Sequence, residues 1–112
     1  MAGMLETIFA SKAAERVLLY LENYGEGNAT GIARTFACPL NGVQKQLFKF
    51  EQAGILVSRL VGRTRLYTWN PRFALKTELR ALLFGALALM PRDEVRKYFR
   101  ERRRPRRTGK PQ

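Results

Sequence analysis

The chain has 112 residues, 46% of them hydrophobic, which suits one domain with a modest core and leaves no room for a second full domain. Its 21 lysine and arginine residues against 9 acidic residues give a net charge of +12, which indicates a polyanionic partner. Because Cys38 is the only cysteine, the sequence excludes an intrachain disulfide and is typical of a protein in a reducing compartment.

No segment of the sequence is apolar for long enough to cross a membrane. The longest apolar run, residues 81–90, has ten residues, about half of what a membrane span requires. The N-terminus also lacks the basic segment and long apolar segment of an export signal. We therefore expect a cytoplasmic protein with no membrane partner.

The first predicted elements are helices. Residues 5–10 and 13–24 are expected to be helical, and glycines after residue 24 end the second helix. A short helix over residues 31–36 follows, and Cys38-Pro39 predicts a turn. The apolar face of the second helix is formed by Ala14, Val17, Leu18 and Leu21.

A longer helix is predicted over about residues 40–53. Val43, Leu47 and Phe50 recur at i, i+4 and i+7 and therefore share one face. Gly54 favours a helix end there, because glycine adopts positive φ without a steric penalty. The opposite, polar face is formed by Asn41, Lys45, Lys49 and Gln52. Phe48 lies off the apolar face, and we expect it to pack against the preceding helix or the following hairpin.

A basic β-hairpin is predicted directly after this helix. Residues 56–61 and 65–69 are rich in valine, leucine, tyrosine and tryptophan, and Gly62-Arg63-Thr64 is a connection of hairpin length. Arg59, Arg63 and Arg65 are expected on or near its tip.

A last apolar helix is predicted over residues 72–90. Asn70 is expected to cap it, with Pro71 at its first position. An apolar arc this wide either pairs with a partner or closes the core of a monomer. We expect a symmetric homodimer, with the interface formed by Leu75, Leu79, Leu82, Leu83 and Leu87.

The sequence after residue 90 is more charged than the rest. Residues 91–112 contain 10 basic and 3 acidic side chains, a net charge of +7, against +5 for residues 1–90. We expect a charged helix over residues 93–103, ended by Pro105, and then a disordered tail, since like charges repel and cannot be buried. The chain is thus divided into a domain at residues 1–90 and a basic segment at residues 91–112.

The order of these elements resembles the ArsR-like winged helix-turn-helix family over roughly residues 8–90. The residues that match its recognition helix, helix stop and wing are Gln44-Lys45-Gln46-Leu47, Ala53-Gly54-Ile55-Leu56, Gly62-Arg63 and Tyr67. Ile32-Ala33-Arg34 is similar to the first helix of the turn-helix unit. Asn70-Pro71 with Glu78-Leu79 resembles the winged-helix domains often fused to small nucleotidyltransferases. The resemblance implies an α+β fold, mainly α, with a two-stranded wing and a C-terminal helix.

A winged helix of this kind implies a sequence-specific regulator of transcription that binds duplex DNA, and the candidate contacts divide by chemistry. Amide and lysine side chains on the exposed helix face pair with base edges, and arginines bind phosphates without selecting a sequence. The expected base contacts are Asn41, Gln44, Lys45 and Gln46. The expected backbone contacts are Lys49, Arg59, Arg63, Arg65, Arg103, Arg104, Arg106 and Arg107.

Other kinds of site are poorly supported by the residues present. With one cysteine and no histidine, the chain lacks the ligand set of a transition-metal sensor, and we expect no metal and no cofactor. We also expect no enzymatic activity, because histidine, a Gly-rich phosphate loop and a carboxylate cluster are all missing. Cys38 is expected to be a small buried hydrophobe rather than a redox switch.

Two alternatives to sequence-specific DNA binding remain open. One is an antitoxin-like or adaptor winged helix whose basic face binds an acidic protein, because a fold does not fix a function. The other is sequence-independent binding of nucleic acid, driven mainly by the basic tail.

Overall fold

The computed structural model describes the backbone of residues 3–99 and the side chains of residues 5–99. Within these residues the fold is α+β and mainly helical, with a small antiparallel sheet, as predicted for the fold class. The elements in chain order are α1 (Gly3–Phe9), α2 (Lys12–Tyr24), β1 (Glu26–Gly27), α3 (Ala29–Phe36), α4 (Leu40–Gln52), β2 (Leu56–Val61), β3 (Thr64–Trp69), α5 (Lys76–Leu89) and α6 (Arg92–Tyr98).

Local side-chain caps fix where α2 and α3 begin. The Ser11 hydroxyl accepts a hydrogen bond from the backbone N–H of Ala14 at 3.1 Å. The Asn28 side chain accepts one from the N–H of Gly31 at 2.7 Å. Each cap satisfies a backbone donor that has no partner inside the helix, so both boundaries follow from short polar side chains.

Two glycines with positive φ end α4 and close the hairpin. Gly54 follows α4 with φ of 80°, and Gly62 has φ of 67° between β2 and β3. Val61 pairs with Thr64, so Gly62 and Arg63 alone form the turn, one residue shorter than predicted. Residues that carry a Cβ atom rarely adopt such φ values, which is why both positions suit glycine.

The sheet has three antiparallel strands in the order β1-β3-β2. In the hairpin, Ser58 pairs with Tyr67 and Leu60 with Arg65, so these four side chains share one face. That face lies toward α4, because the Ser58 hydroxyl donates a hydrogen bond to the Glu51 carboxylate at 2.7 Å. The sequence did not predict β1, whose two residues are too few for a periodic pattern.

Helix α2 lies at the centre of the core. Its predicted apolar face is confirmed, and it packs against α1, α3, α4, α5 and β1. Fully buried side chains from α1, α3, α4, β2 and α5 also form this core, and they include Leu5, Ile32, Val43, Leu47, Leu56 and Leu83. Because α4 inserts Val43 and Leu47 here, its opposite face must lie outward.

A buried carboxylate links α2 to α5. Arg80 Nε donates a hydrogen bond to Glu22 Oε1 at 2.8 Å, and the Glu22 side chain is nearly buried. The Arg80 guanidinium also lies over the Trp69 ring, 5.9 Å from its centroid. The charge and the aromatic ring together hold α5 on the side of α2 next to the sheet.

The predicted start of the last apolar helix is wrong. Helix α5 begins at Lys76 and not at Pro71, and the Asn70 side chain is used elsewhere. Its Nδ2 donates to the carbonyl of Gly54 at 2.8 Å, and its Oδ1 accepts from the N–H of Arg72 at 3.0 Å. Asn70 therefore ties the end of the hairpin to the end of α4 and does not cap a helix.

The leucines predicted for a dimer interface have three different environments. Leu83 has 0% exposure and packs inside the core, so its assignment to an interface with a second chain is wrong. Leu79 and Leu87 are half-buried against the same core. Of the five, only Leu75, which directly precedes α5, and Leu82 on α5 are exposed.

The folded region extends beyond residue 90. Phe99 is only 2% exposed and packs with Phe36 and Tyr24 at ring-centroid distances of 5.9 and 6.4 Å. Asn23 Nδ2 and the Tyr24 hydroxyl donate hydrogen bonds to the carbonyls of Phe99 and Tyr98. The expected domain end at residue 90 is therefore too early.

Helix α6 ends at Tyr98 and not at residue 103, where the sequence had predicted its end. Residues 100–112 lie outside the described residues.

Candidate nucleic-acid interface

One face of α4 presents a continuous row of exposed side chains, which we call the α4 stripe. Its members recur at i, i+3, i+4, i+7, i+8 and i+11, the spacing of one helix face. Burial of Val43 and Leu47 on the opposite face orients the stripe outward. The α4 stripe consists of Asn41, Gln44, Lys45, Phe48, Lys49 and Gln52, all exposed.

Phe48 lies within this stripe, contrary to the expectation that it packs against the preceding helix or the hairpin. It is 61% exposed, between Gln44 and Gln52 on the helix surface. Gln46, predicted to contact bases, is half-buried and lies off the stripe. The outward face of α4 is therefore formed by amides, two lysines and one aromatic ring.

An open cleft of about 550 Å³ lies between α4, the start of α3 and the hairpin, and we call it the α4–hairpin cleft. It brings Gln44 of the stripe to the same concave surface as Arg63 and Arg65 of the hairpin. None of its lining residues is acidic, so the two guanidinium groups give it a positive charge. The lining residues are Asn28, Ala29, Thr30, Gln44, Leu47, Arg63, Thr64, Arg65 and Tyr67.

The two arginines of this cleft are held differently. Arg65 Nη1 donates a hydrogen bond to the Ser58 hydroxyl at 3.0 Å, and that hydroxyl donates one to the Glu51 carboxylate at 2.7 Å. Ser58 therefore links Arg65 to α4. Arg63 occupies the exposed turn and forms no ion pair with the described residues. Arg63 is therefore free to reach a ligand outside the chain.

Arg59 lies on the other face of the sheet from Arg65. Adjacent positions along a strand alternate in direction, and Arg59 pairs with Leu66 while Arg65 pairs with Leu60. The Arg59 guanidinium is 3.7 Å from the Glu26 carboxylate of β1, and both side chains are exposed. The structure thus separates Arg59 from the cleft that contains the other two hairpin arginines.

Tyr67 is a cleft residue that was not among the predicted contacts. Burial raises the pKa of its phenol, Glu51 raises it further, and Arg65 lowers it. The hydroxyl therefore stays protonated and can donate a hydrogen bond to an acceptor in the cleft. Asn28 and Thr30 join the same surface because β1, which precedes them, pairs with β3, and no local sequence signal indicates that pairing.

The other predicted site residues have simpler outcomes. Arg103, Arg104, Arg106 and Arg107 lie outside the described residues. Cys38 follows the end of α3, half-buried against the core. The described residues therefore bring together Gln44, Arg63 and Arg65, and place the rest of the α4 stripe beside them.

No protein-family model, curated protein or solved structure matches this chain. Within residues 3–99, no helix has the length and apolar character that crossing a membrane requires. The same part of the chain contains no group of three or more histidine, cysteine, aspartate or glutamate side chains arranged to hold a metal ion.

Proposed function

We propose that the chain is an ArsR-like winged helix that binds duplex DNA with sequence preference and regulates transcription. In this proposal α3 and α4 form the helix-turn-helix, α4 enters the major groove, and the β2–β3 hairpin is the wing. The observation that supports it best is the α4–hairpin cleft, where Gln44 and two arginines border one positively charged surface.

The side chains of this surface divide between base and backbone contacts. Asn41 and Gln44 can pair with adenine through two hydrogen bonds, and Lys45 can donate to guanine. The exposed ring of Phe48 adds a contact that suits the methyl group of thymine. Arg63, at the tip of the hairpin, would bind phosphate.

The double change Gln44→Ala, Lys45→Ala tests the base contacts. Both side chains are exposed and form no contact that supports the core, so the variant should fold. We expect it to lose sequence preference, by roughly 1–3 kcal/mol for each base that is no longer read. The measurement is the affinity for a preferred duplex and for a scrambled duplex at one salt concentration.

The control is Lys76→Ala at the start of α5, which removes the same charge away from the α4 stripe. It should leave the ratio of the two affinities unchanged. An unchanged ratio in the α4 variant would falsify the base-reading role of this helix.

We also propose that the protein is a homodimer formed through the outer side of α5. Ala81, Gly85 and Ala88 recur there at helical spacing, and an added Cβ at Gly85 would meet nothing within 4 Å. Small residues allow a second helix to approach closely. The exposed apolar side chains around them, which would pack against that helix, are Leu75, Leu82, Phe84 and Leu89.

A dimer would explain why so apolar a helix has an exposed side, because monomeric proteins rarely leave large apolar patches in water. It would also present two copies of α4 about 34 Å apart to half-sites one helical turn apart. We expect the sedimentation mass of two chains at micromolar concentration.

A protein partner is the second candidate function. Phe48, Leu60 and Val61 are all more than half exposed, and exposed apolar residues among basic ones also suit an acidic protein surface. In that case Phe48→Ala would abolish binding of the partner while duplex DNA would bind weakly and without preference. Under the proposal of DNA binding, the same change weakens preference at a thymine position only.

A further inference from the structure

A second cavity, remote from the α4–hairpin cleft, lies between α2, the end of α3 and α6. Its volume is about 120 Å³, and we call it the Glu15 cavity. It combines apolar and aromatic walls with a few charged groups, which is the usual character of a small-molecule site. The lining residues are Lys12, Glu15, Arg16, Leu19, Phe36, Met90, Glu94, Tyr98 and Phe99.

Glu15 lines this cavity, and its carboxyl is buried without a complete set of partners. The residue is only 3% exposed, and its Oε2 atom accepts no hydrogen bond from the described residues. Burying a polar atom without a hydrogen bond is unfavourable, and a buried charge is more so. A ligand with a hydrogen-bond donor would remove that penalty.

The charged groups around Glu15 do not supply that donor. Lys12 is exposed, and its ammonium lies 3.9 Å from the Glu6 carboxylate of α1. The Arg16 guanidinium lies over the Phe36 ring, 5.7 Å from its centroid. Burial, followed by the nearby charge of Glu6, raises the pKa of Glu15 to about 7, while Lys12 and Arg16 lower it and Glu94 of α6 raises it. The carboxyl is therefore neutral in a large fraction of molecules near neutral pH.

Aromatic rings form much of the apolar lining of this cavity. The Phe36 ring lies 4.9 Å from the Tyr98 ring and 5.9 Å from the Phe99 ring, centroid to centroid. Tyr98 and Phe99 are held there because their carbonyls accept hydrogen bonds from Tyr24 and Asn23. Aromatic faces attract cations and also pack against apolar groups.

We propose that the Glu15 cavity binds a small organic cation, a primary ammonium on an apolar body, with the Glu15 carboxylate as its counter-ion. The ammonium forms an ion pair with the Glu15 carboxylate, and the apolar body packs against Phe36 and Tyr98. Binding stabilises the ionised carboxylate, so the proton that Glu15 holds in the free protein passes to the buffer.

Size and charge select this ligand class over others. At about 120 Å³, the Glu15 cavity is smaller than the cavity of about 150 Å³ that accepts benzene, so a one-ring body lies partly in its opening and nothing larger suits it. The Glu15 and Glu94 carboxylates would repel an anion. The two cations that line the same cavity already have partners, Lys12 with Glu6 and Arg16 with the Phe36 ring. A neutral apolar molecule would leave Oε2 without a donor.

Benzylamine is a suitable probe, and benzyl alcohol is its neutral match of equal size. We expect benzylamine to shift the nuclear magnetic resonance signals of residues around Leu19, Phe36 and Met90.

Glu15→Gln should weaken the binding of benzylamine roughly tenfold or more, because a hydrogen bond between charged groups is lost. Glu78→Gln, which removes the same charge from α5, should leave binding unchanged. Equal binding of benzyl alcohol, or no loss in Glu15→Gln, would overturn the proposal.

The pH dependence of wild-type binding tests the same proposal without any variant. With a Glu15 pKa of about 7, the affinity for benzylamine should fall about thirtyfold from pH 8 to pH 5.5, since the ionised fraction falls by that factor. Calorimetry at neutral pH in buffers of different ionisation enthalpy should also show proton release on binding. An affinity that does not change with pH, or binding without proton release, would contradict the assignment of Glu15 as counter-ion.

Discussion

At the scale of single residues, Glu15 should make the stability of this protein depend on pH. Its pKa in the folded chain, about 7, lies above the 4.5 of an unperturbed glutamate, mainly because it is buried. The folded state therefore binds the proton more tightly, and this stabilisation is fully present below pH 4.5 and lost as pH rises through 7. Replacement by a neutral side chain should remove this dependence.

For Glu15→Gln we expect the free energy of unfolding at pH 8 to exceed that of the wild type by up to about 3 kcal/mol. At pH 4 the two proteins should differ little, because Glu15 is then neutral. Urea denaturation at both pH values measures this difference. If Glu15→Gln were equally or more destabilising at pH 8 than at pH 4, the raised pKa would be wrong.

The backbone at Ala37 offers a second test at this scale. Ala37, which follows α3, adopts a left-handed conformation with φ of 53° and ψ of 48°, and its side chain is exposed. Glycine has no steric penalty there, so Ala37→Gly should stabilise the protein by up to about 1 kcal/mol. The matched control is Ala53→Gly after α4, where φ of −81° is ordinary and the change should be destabilising by about 0.5–1 kcal/mol. Equal losses in both variants would show that the α3–α4 turn is not left-handed.

At the scale of elements, the hairpin should add affinity and not sequence preference. Arg63→Ala removes an exposed guanidinium from the turn, and we expect weaker binding to every duplex by a similar factor. The slope of log affinity against log salt should become shallower by about 0.9 for each phosphate that the variant no longer neutralises. Arg59→Ala is the control, because Arg59 lies on the opposite face and pairs with Glu26. A changed sequence preference in Arg63→Ala, or an equal effect of Arg59→Ala, would contradict this role.

The proposed dimer interface on α5 can be tested at Gly85, a position where a larger residue should not disturb the fold of the single chain. An added Cβ at Gly85 meets nothing within 4 Å in the chain, and we therefore expect Gly85→Glu to fold as a monomer. In the proposed dimer the same carboxylate would be buried against the second α5, and sedimentation should therefore show one chain and not two. Gly85→Ala is the control, which should keep the dimer and stabilise the helix by about 0.5–1 kcal/mol. A dimer that persists in Gly85→Glu would place the interface elsewhere.

Which elements the sequence could predict depends on whether their cause is local. The cores of α2 and α4 followed from apolar spacing, and the end of α4 followed from Gly54. The start of α5 was missed because Asn70 bonds to Gly54, sixteen residues away, and a cap signal in the sequence cannot show that contact.

The candidate sites, too, could be predicted from the sequence only where they depend on local structure. The outward face of α4 was predictable from periodicity, including the exposure of Gln44 and Lys45. The α4–hairpin cleft and the Glu15 cavity were not, because each joins elements that are far apart in the chain. Tyr98 and Phe99 line the same cavity as Glu15, and apolar spacing within α2 gave no sign of that.

At the scale of the whole molecule, charge is uneven along the chain. Residues 91–112 have a net charge of +7 and residues 1–90 a net charge of +5. Deleting residues 102–112 should reduce the salt dependence of DNA binding, by up to about 0.9 in slope for each phosphate that these residues neutralise, with the sequence preference unchanged. If the deletion removed all preference, the basic segment and not α4 would select the target. An unchanged slope would remove this segment from the interface.

The central claim is that α4 and the hairpin read duplex DNA, and selection of bound sequences from a random duplex pool tests it most directly. Selection at 150 mM salt, with unrelated duplex as competitor, suppresses binding that depends on charge alone. We predict enrichment of a defined motif in two half-sites about one helical turn apart, and its loss in the Gln44→Ala, Lys45→Ala variant. Retention of DNA without any enriched motif, or the same motif in both proteins, would contradict the account.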